Sequence, residues 1–164
     1  MGAGILPLTL LKGNIFFLLG CEQNSNYWCD FGGSANKYES IFSTSIREGY
    51  EELDGLLGDK TKLEELVSNN LITTCNTKRY SSYLFYVKPE ILYSMPFYFE
   101  NHRSFLKNEI SLTENIKEGL FEKKQVKLFS KKDLLINYQD IRPFYRTIVQ
   151  ELLEVDKNLI EKYL

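Results

Sequence analysis

Apolar positions along this chain change period several times. Residues 3–11 are almost continuously apolar, and Ile15-Phe16-Phe17-Leu18-Leu19 follows a polar break at Lys12-Gly13-Asn14. Two short apolar runs around a turn signal read as buried strands joined in a hairpin. Pro7 lacks an N–H, which points to an edge or a bulge in the first of them. Cys21 to Tyr27 is a polar loop, and Tyr27 to Phe31 reads as a short strand leading into a turn at Gly32-Gly33. Beyond that the period lengthens. Phe42, Ile46, Gly49 and Leu53 recur at i, i+4, i+7 and i+11, which predicts a helix over Ser40 to Leu53 with that stripe facing the core. Gly49 on the stripe predicts tight packing against a strand, because it costs a helix roughly 1 kcal/mol relative to Ala. Gly55 follows as a C-cap.

Lys62 to Asn69 is a second helical segment, and Tyr83 to Val87 is a strand ended by Pro89. Residues 90–117 mix aromatic and polar side chains with no clean period. Gln125 to Phe129 reads as a strand, and Phe144, Ile148, Leu152, Leu159 and Tyr163 give the end of the chain a helical pattern. Strands before and after a central helix, with a closing helix, predict an α/β sandwich around a mixed β-sheet.

Length and composition fit one domain spanning residues 1–164, with 43% hydrophobic and 26% charged residues. A net charge of −2 gives no global attraction to nucleic acid. Three cysteines, at 21, 29 and 75, form no C-x-x-C pair. The expectation is therefore reduced thiols in an intracellular, cytoplasmic protein, without a zinc site or disulfide framework. The one histidine, His102, does not support a multi-His metal site and is expected on the surface or in a loop. No apolar stretch approaches the ~20 residues of a membrane span.

The densest chemistry lies between Gly33 and Glu52, with the spacing G-x5-E-x7-R-E-x2-E-E. On a helix Glu48, Glu51 and Glu52 stand at i, i+3 and i+4 and share a face, where like charges repel. A hard divalent cation removes that repulsion by taking carboxylate oxygens. The same residues on an ordinary protein would be a solvated helix face, but the Gly-Gly pair, the offset of Glu39 and the Arg47-Glu48 pair add to the pattern.

The full pattern resembles the Nudix box, G-x5-E-x7-R-E-U-x-E-E-x-G-U with U a bulky aliphatic residue. Gly33, Glu39, Arg47, Glu48, Glu51 and Glu52 match in identity and register. Gly49 stands where an aliphatic is usual, Asp54 where Gly is usual, and Gly55 where the last aliphatic is usual. The resemblance implies the Nudix fold and hydrolysis of a nucleoside diphosphate linked to another group, or a related pyrophosphate, with Mg2+ or Mn2+. It implies that Glu48, Glu51 and Glu52 hold the metal, that the Gly33 carbonyl adds a ligand, and that Arg47 orients a carboxylate rather than touching substrate. Glu39, near the helix N-terminus, takes a partly structural role. A general base in this family is a box Glu or an acid on a later loop. Glu118 and Glu122 precede the strand near Val126, and Glu122, leading more directly into it, is favoured.

Substrate choice lies outside the box. Lys123, Lys124, Lys127, Lys131 and Lys132 form a local basic run that suits extra phosphates or capped RNA, or simply a solvated surface. Tyr27, Trp28 and the aromatics at 93–99 suit base stacking, or else core and rim. Two alternatives stand beside the pyrophosphohydrolase: an mRNA cap-cleaving enzyme, which needs an RNA path, and a non-catalytic Nudix-fold nucleotide-binding module, which would be expected to lose box carboxylates. This chain keeps them all.

Overall fold

A computed structural model of the chain describes residues 1–109 and 122–163. β1 (Gly2–Leu11) and β2 (Asn14–Glu22) form the expected hairpin. Its two-residue turn holds Lys12 and Gly13 at φ 49° and 74°, the left-handed pair that matches the strand twist. The hairpin strands pair only from Leu8↔Phe17 to Leu11↔Asn14 and then splay. Two short strands fill the fork. β3 (Trp28–Cys29) pairs with β2 at Gly20↔Cys29, and β4 (Phe31–Ser34) pairs with β1 at Ala3↔Gly33. The Gly32-Gly33 segment is therefore strand rather than turn.

The other side of β1 is covered in parallel by β6 (Tyr80–Tyr86), from Gly2↔Tyr80 to Leu8↔Tyr86. β5 (Leu71–Asn76) flanks β6, and β7 (Lys123–Ser130) pairs with β2. The result is a seven-stranded mixed sheet with β1 inside it, not at an edge. Pro7 is tolerated there for a local reason. Opposite β6, the partner of β1 changes from β4, whose pairing stops at Ile5, to β2, whose pairing starts at Leu8. Pro7 sits in that gap, where a missing N–H breaks no ladder bond.

Alternate strand residues feed two cores. Ile5, Leu18 and Phe85 point to one face, where α1 (Ile41–Glu52), α2 (Lys60–Asn69) and α3 (Pro89–Glu109) contribute Ile46, Leu63 and Leu92. Leu6, Phe17 and Leu84 point to the other, covered by α4 (Lys131–Ile136), α5 (Arg146–Glu154) and α6 (Asn158–Glu161). This is the expected α/β sandwich.

Ser40 caps α1 by accepting from the Ser43 N–H at 3.0 Å. Ile46, Gly49 and Leu53 are buried and Phe42 packs beside them. A side chain on Gly49 would collide with Ile5 of β1, so the stripe and its glycine pack as the spacing predicts. The helix ends through two left-handed residues, Asp54 (φ 52°) and Gly55 (φ 70°), and the Gly55 N–H bonds to the Tyr50 carbonyl.

α3 occupies the stretch without a legible period. It buries Leu92, Met95 and Phe99 but leaves Ile91, Tyr93, Phe97, Tyr98 and Phe105 exposed, so apolar residues surround it. Pro96 inside it further disguises it. His102 therefore lies on a helix, half-exposed, 3.9 Å from Asp54. Among the described residues no helix is long and apolar enough to cross a membrane.

Candidate active site

α1 lies across β4 and the start of β1, which brings its carboxylates to Gly33. Arg47 organises them. Its Nε and Nη2 bind the two oxygens of Glu39 at 2.9 and 3.0 Å, a bidentate clamp. Its Nη1 reaches both Glu48, at 2.8 Å, and Glu51, at 3.2 Å. Nη2 also bonds to the Ser34 carbonyl, tying the helix to the strand. Glu39 further accepts from the Asn36 N–H and the Thr44 hydroxyl, each at 3.0 Å. The Arg47 hydrogen bonds hold its carboxyl down to about 2.

Glu48 lies directly over Gly33. A Cβ on Gly33 would come within 2.5 Å of the Glu48 carboxyl carbon, so only glycine leaves room for that carboxylate beside the strand backbone. Burial raises the Glu48 pKa, Arg47 opposes the rise, and the charges of Glu51 and Glu122 add to it. Glu122 is exposed, immediately before β7, and its carbonyl accepts from the Gln23 N–H. Glu118 falls outside the described residues.

Glu52 has a different environment. Its side chain is 2% exposed; one oxygen lies 3.2 Å from the Lys123 ammonium and the other accepts from the Gly32 N–H at 2.7 Å. Burial pushes its pKa up to about 8, against the pull of Lys123. Lys123, the first lysine of the basic run, is thus not a surface charge. It is 0% exposed, with Glu22 and the Cys29 sulfur as further contacts. Desolvation works against its charge, but the facing carboxylates raise its pKa and keep it an ammonium. Arg142 joins the same cluster through Glu22 at 3.2 Å. Lys131 is also engaged, donating to the Leu153 and Val155 carbonyls at the end of α5.

A cleft of about 810 Å³ opens beside Gly33. Its cations are Lys78 and Arg79, from the turn between β5 and β6, and Arg142. Its aromatic walls are Tyr80 and Phe144, whose rings meet edge-on at 5.1 Å. These residues, not the 123–132 lysines or the aromatics at 27, 28 and 93–99, line the space next to the box. Trp28 instead packs edge-on against Phe129. The doublet Lys78-Arg79 and the Arg142-Pro143-Phe144 segment are visible in the sequence, but nothing there joins them, 64 positions apart, to Gly33.

The donors beside Gly33 are carboxylate and backbone carbonyl oxygens, the set a hard divalent cation takes. Glu48 and Glu51 are donors of that kind, though Glu51 faces Arg47 at 3.2 Å and Lys60 at 3.9 Å, and Glu52 is bonded at both oxygens. Among the described residues no three His, Cys, Asp or Glu side chains gather into one ligating group.

No family model matches the sequence, and no curated protein matches it. Solved structures do. An Ap4A hydrolase of C. elegans, crystallised as a binary complex, aligns over 92% of this chain and 93% of its own with a TM-score of 0.52 and 13% identity. A mutT/nudix family protein of Listeria innocua aligns over 99% and 94%, with a TM-score of 0.51 and 15% identity. A bifunctional NMN adenylyltransferase/ADP ribose pyrophosphatase of Francisella tularensis, complexed with AMP and a Mn ion, aligns over 93% of this chain and 41% of its own, with a TM-score of 0.55 and 16% identity. The fold is that of the Nudix hydrolases. Within the Nudix fold, the helix carrying Arg47 and the glutamates is α1, and the strand it faces carries Gly33.

Proposed function

We propose that this protein is a Nudix-type pyrophosphohydrolase, which cleaves a nucleoside diphosphate linked to another group, or a related pyrophosphate, by water attack on phosphorus. One observation carries the reading: Glu48, held with Glu51 by Arg47, stands over Gly33, which lines a cleft together with three cations. Glu48, Glu51 and the Gly33 carbonyl would hold Mg2+ or Mn2+. That ion would neutralise phosphate oxygens and lower the pKa of a bound water. Arg47 keeps both carboxylates oriented. Glu122, close enough to act on Glu48 electrostatically, is the candidate to accept the proton of the attacking water. Lys78, Arg79 and Arg142 would meet the phosphates, and Phe144 would offer its face to a base. The Ap4A and ADP ribose named for the similar structures belong to the same substrate class.

The test is turnover of a panel that includes a dinucleoside polyphosphate, ADP ribose and capped RNA, with Mg2+ or Mn2+. The reading expects cleavage of at least one member, suppressed by EDTA and by Glu51→Gln in a protein that keeps its circular dichroism. Selective turnover of capped RNA would favour a decapping enzyme. Tight nucleotide binding without turnover would indicate a binding module.

A further inference from the structure

Behind the cleft lies an acid with no part in the chemistry above. Asp30, between β3 and β4, is 1% exposed. One carboxylate oxygen accepts from the Tyr80 hydroxyl at 2.7 Å, the other from the Ser82 hydroxyl at 2.6 Å. Ser82 gives its one proton to Asp30, so Tyr145 donates to Ser82, at 3.2 Å. Burial pushes the Asp30 carboxyl up to about 6, and the Ser82 and Tyr80 bonds oppose the rise. The backbone is cut away to admit this cluster. A Cβ on Gly4 of β1 would come within 2.3 Å of the Tyr80 hydroxyl, and one on Gly32 of β4 within 2.1 Å. With glycine at both places, the Tyr80 ring of β6 crosses β1 and reaches the acid beside β4. The ring so held lines the cleft together with Gly2, Gly32 and Gly33. It meets Phe144 edge-on at 5.1 Å, and Tyr145 meets the two rings edge-on at 6.3 and 6.1 Å. Phe144 is the ring of the three that reaches solvent, at 44% exposed.

We propose that Asp30 is a positioning residue for the base of the substrate: through the Tyr80 hydroxyl, and through Ser82 to Tyr145, it fixes the aromatic wall against which that base packs. This rests on the pyrophosphohydrolase reading above. Phe144 stands on the short 3₁₀ turn Pro143–Tyr145, so the direction of its ring depends on the rings beside it. Bonds from hydroxyls to a carboxylate are roughly twice as strong as neutral ones, and they hold Tyr80 directly and Tyr145 through Ser82. A wall already fixed spares the base the cost of ordering it on binding. Asp30 is buried and acts only through hydroxyls. Its loss should therefore loosen the base end of the site and spare the phosphate end.

Calorimetric titration of the intact protein with AMP, GMP, CMP and UMP, and with ribose 5-phosphate, tests this without turnover, because only the base separates the two kinds of ligand. Wild type is expected to bind at least one of the nucleotides about tenfold or more tighter than ribose 5-phosphate. Asp30→Asn, close in shape but with an NH2 facing one of the two hydroxyls, should lose most of that preference while its affinity for ribose 5-phosphate stays within about twofold. Tyr80→Phe, which keeps the ring and cuts the bond, should do the same, and the double variant should be no worse than either single one. A folded Asp30→Asn that keeps the wild-type preference, or that loses affinity equally for both kinds of ligand, would overturn the inference. Should Asp30→Asn fail to fold, Tyr80→Phe decides by the same comparison. A wild type that binds no nucleotide more tightly than ribose 5-phosphate, yet cleaves a pyrophosphate with Mg2+ or Mn2+, would overturn the inference and leave the hydrolase reading standing. Failure to cleave any member of the turnover panel would overturn both.

Discussion

At the scale of single residues, the site depends on how one arginine is shared. Arg47 spends two nitrogens on Glu39 and a third on Glu48 and Glu51 together. Because the Arg47 bonds lower the Glu39 pKa, their stabilising effect is fully present above the ordinary value of 4.5 and is lost as pH falls through about 2. Glu39→Gln should therefore lower the melting temperature near neutrality, with the difference from wild type shrinking across that acid window. A difference that stays constant to the acid end would show that the clamp is not the source. Glu122 makes a different prediction. A general base contributes typically 10²–10⁴-fold, so Glu122→Gln should lower kcat by about that range, with the loss shrinking as pH rises and hydroxide replaces the base. A wild-type kcat and pH profile would move the base into the box. The spacing of Glu39, Arg47 and Glu48 made this group legible before any fold was known. Lys123 was not legible, because a buried ammonium and a surface lysine read alike until strand pairing sets Glu22 beside it.

At the scale of elements, α1 is the part the sequence describes best. Its stripe, its cap at Ser40 and its close approach to Ile5 follow from period and residue type. α3 is the part it describes worst, since its exposed aromatics blur the face that Leu92, Met95 and Phe99 define. The two helices are joined where the chain departs from the box pattern. Asp54 takes the left-handed position where glycine is usual and binds Arg103 of α3 at 2.7 Å. Returning glycine there relieves backbone strain of about 1–2 kcal/mol but removes a carboxylate from a buried pair, which costs about 3–5 kcal/mol. The pair outweighs the strain, so Asp54→Gly should destabilise the protein by about 1–4 kcal/mol in chemical denaturation. A stabilised variant would mean that Asp54 is a tolerated defect rather than the link between the helices.

At the scale of the whole molecule, the sheet gathers what the chain separates. Gly33 comes from β4, Arg79 from the β5–β6 turn and Arg142 from the segment before α5, and all line one cleft. That convergence depends on tertiary pairing, chiefly the parallel match of β1 with β6. For this reason the fold class was readable from the strand and helix pattern, while the substrate side of the site was not. Arg79→Ala should raise KM by about tenfold with little change in kcat, the mark of lost ground-state binding. An unchanged KM would place the phosphates elsewhere. The central claim, water attack on a pyrophosphate beside Glu48 and Glu51, is tested most directly by cleaving a turned-over substrate of the panel in heavy-oxygen water and following the products by phosphorus NMR. The account predicts Mg2+- or Mn2+-dependent cleavage with the heavy oxygen in a product phosphate. Cleavage that leaves both phosphates unlabelled, or no cleavage of any pyrophosphate offered with metal, would contradict it.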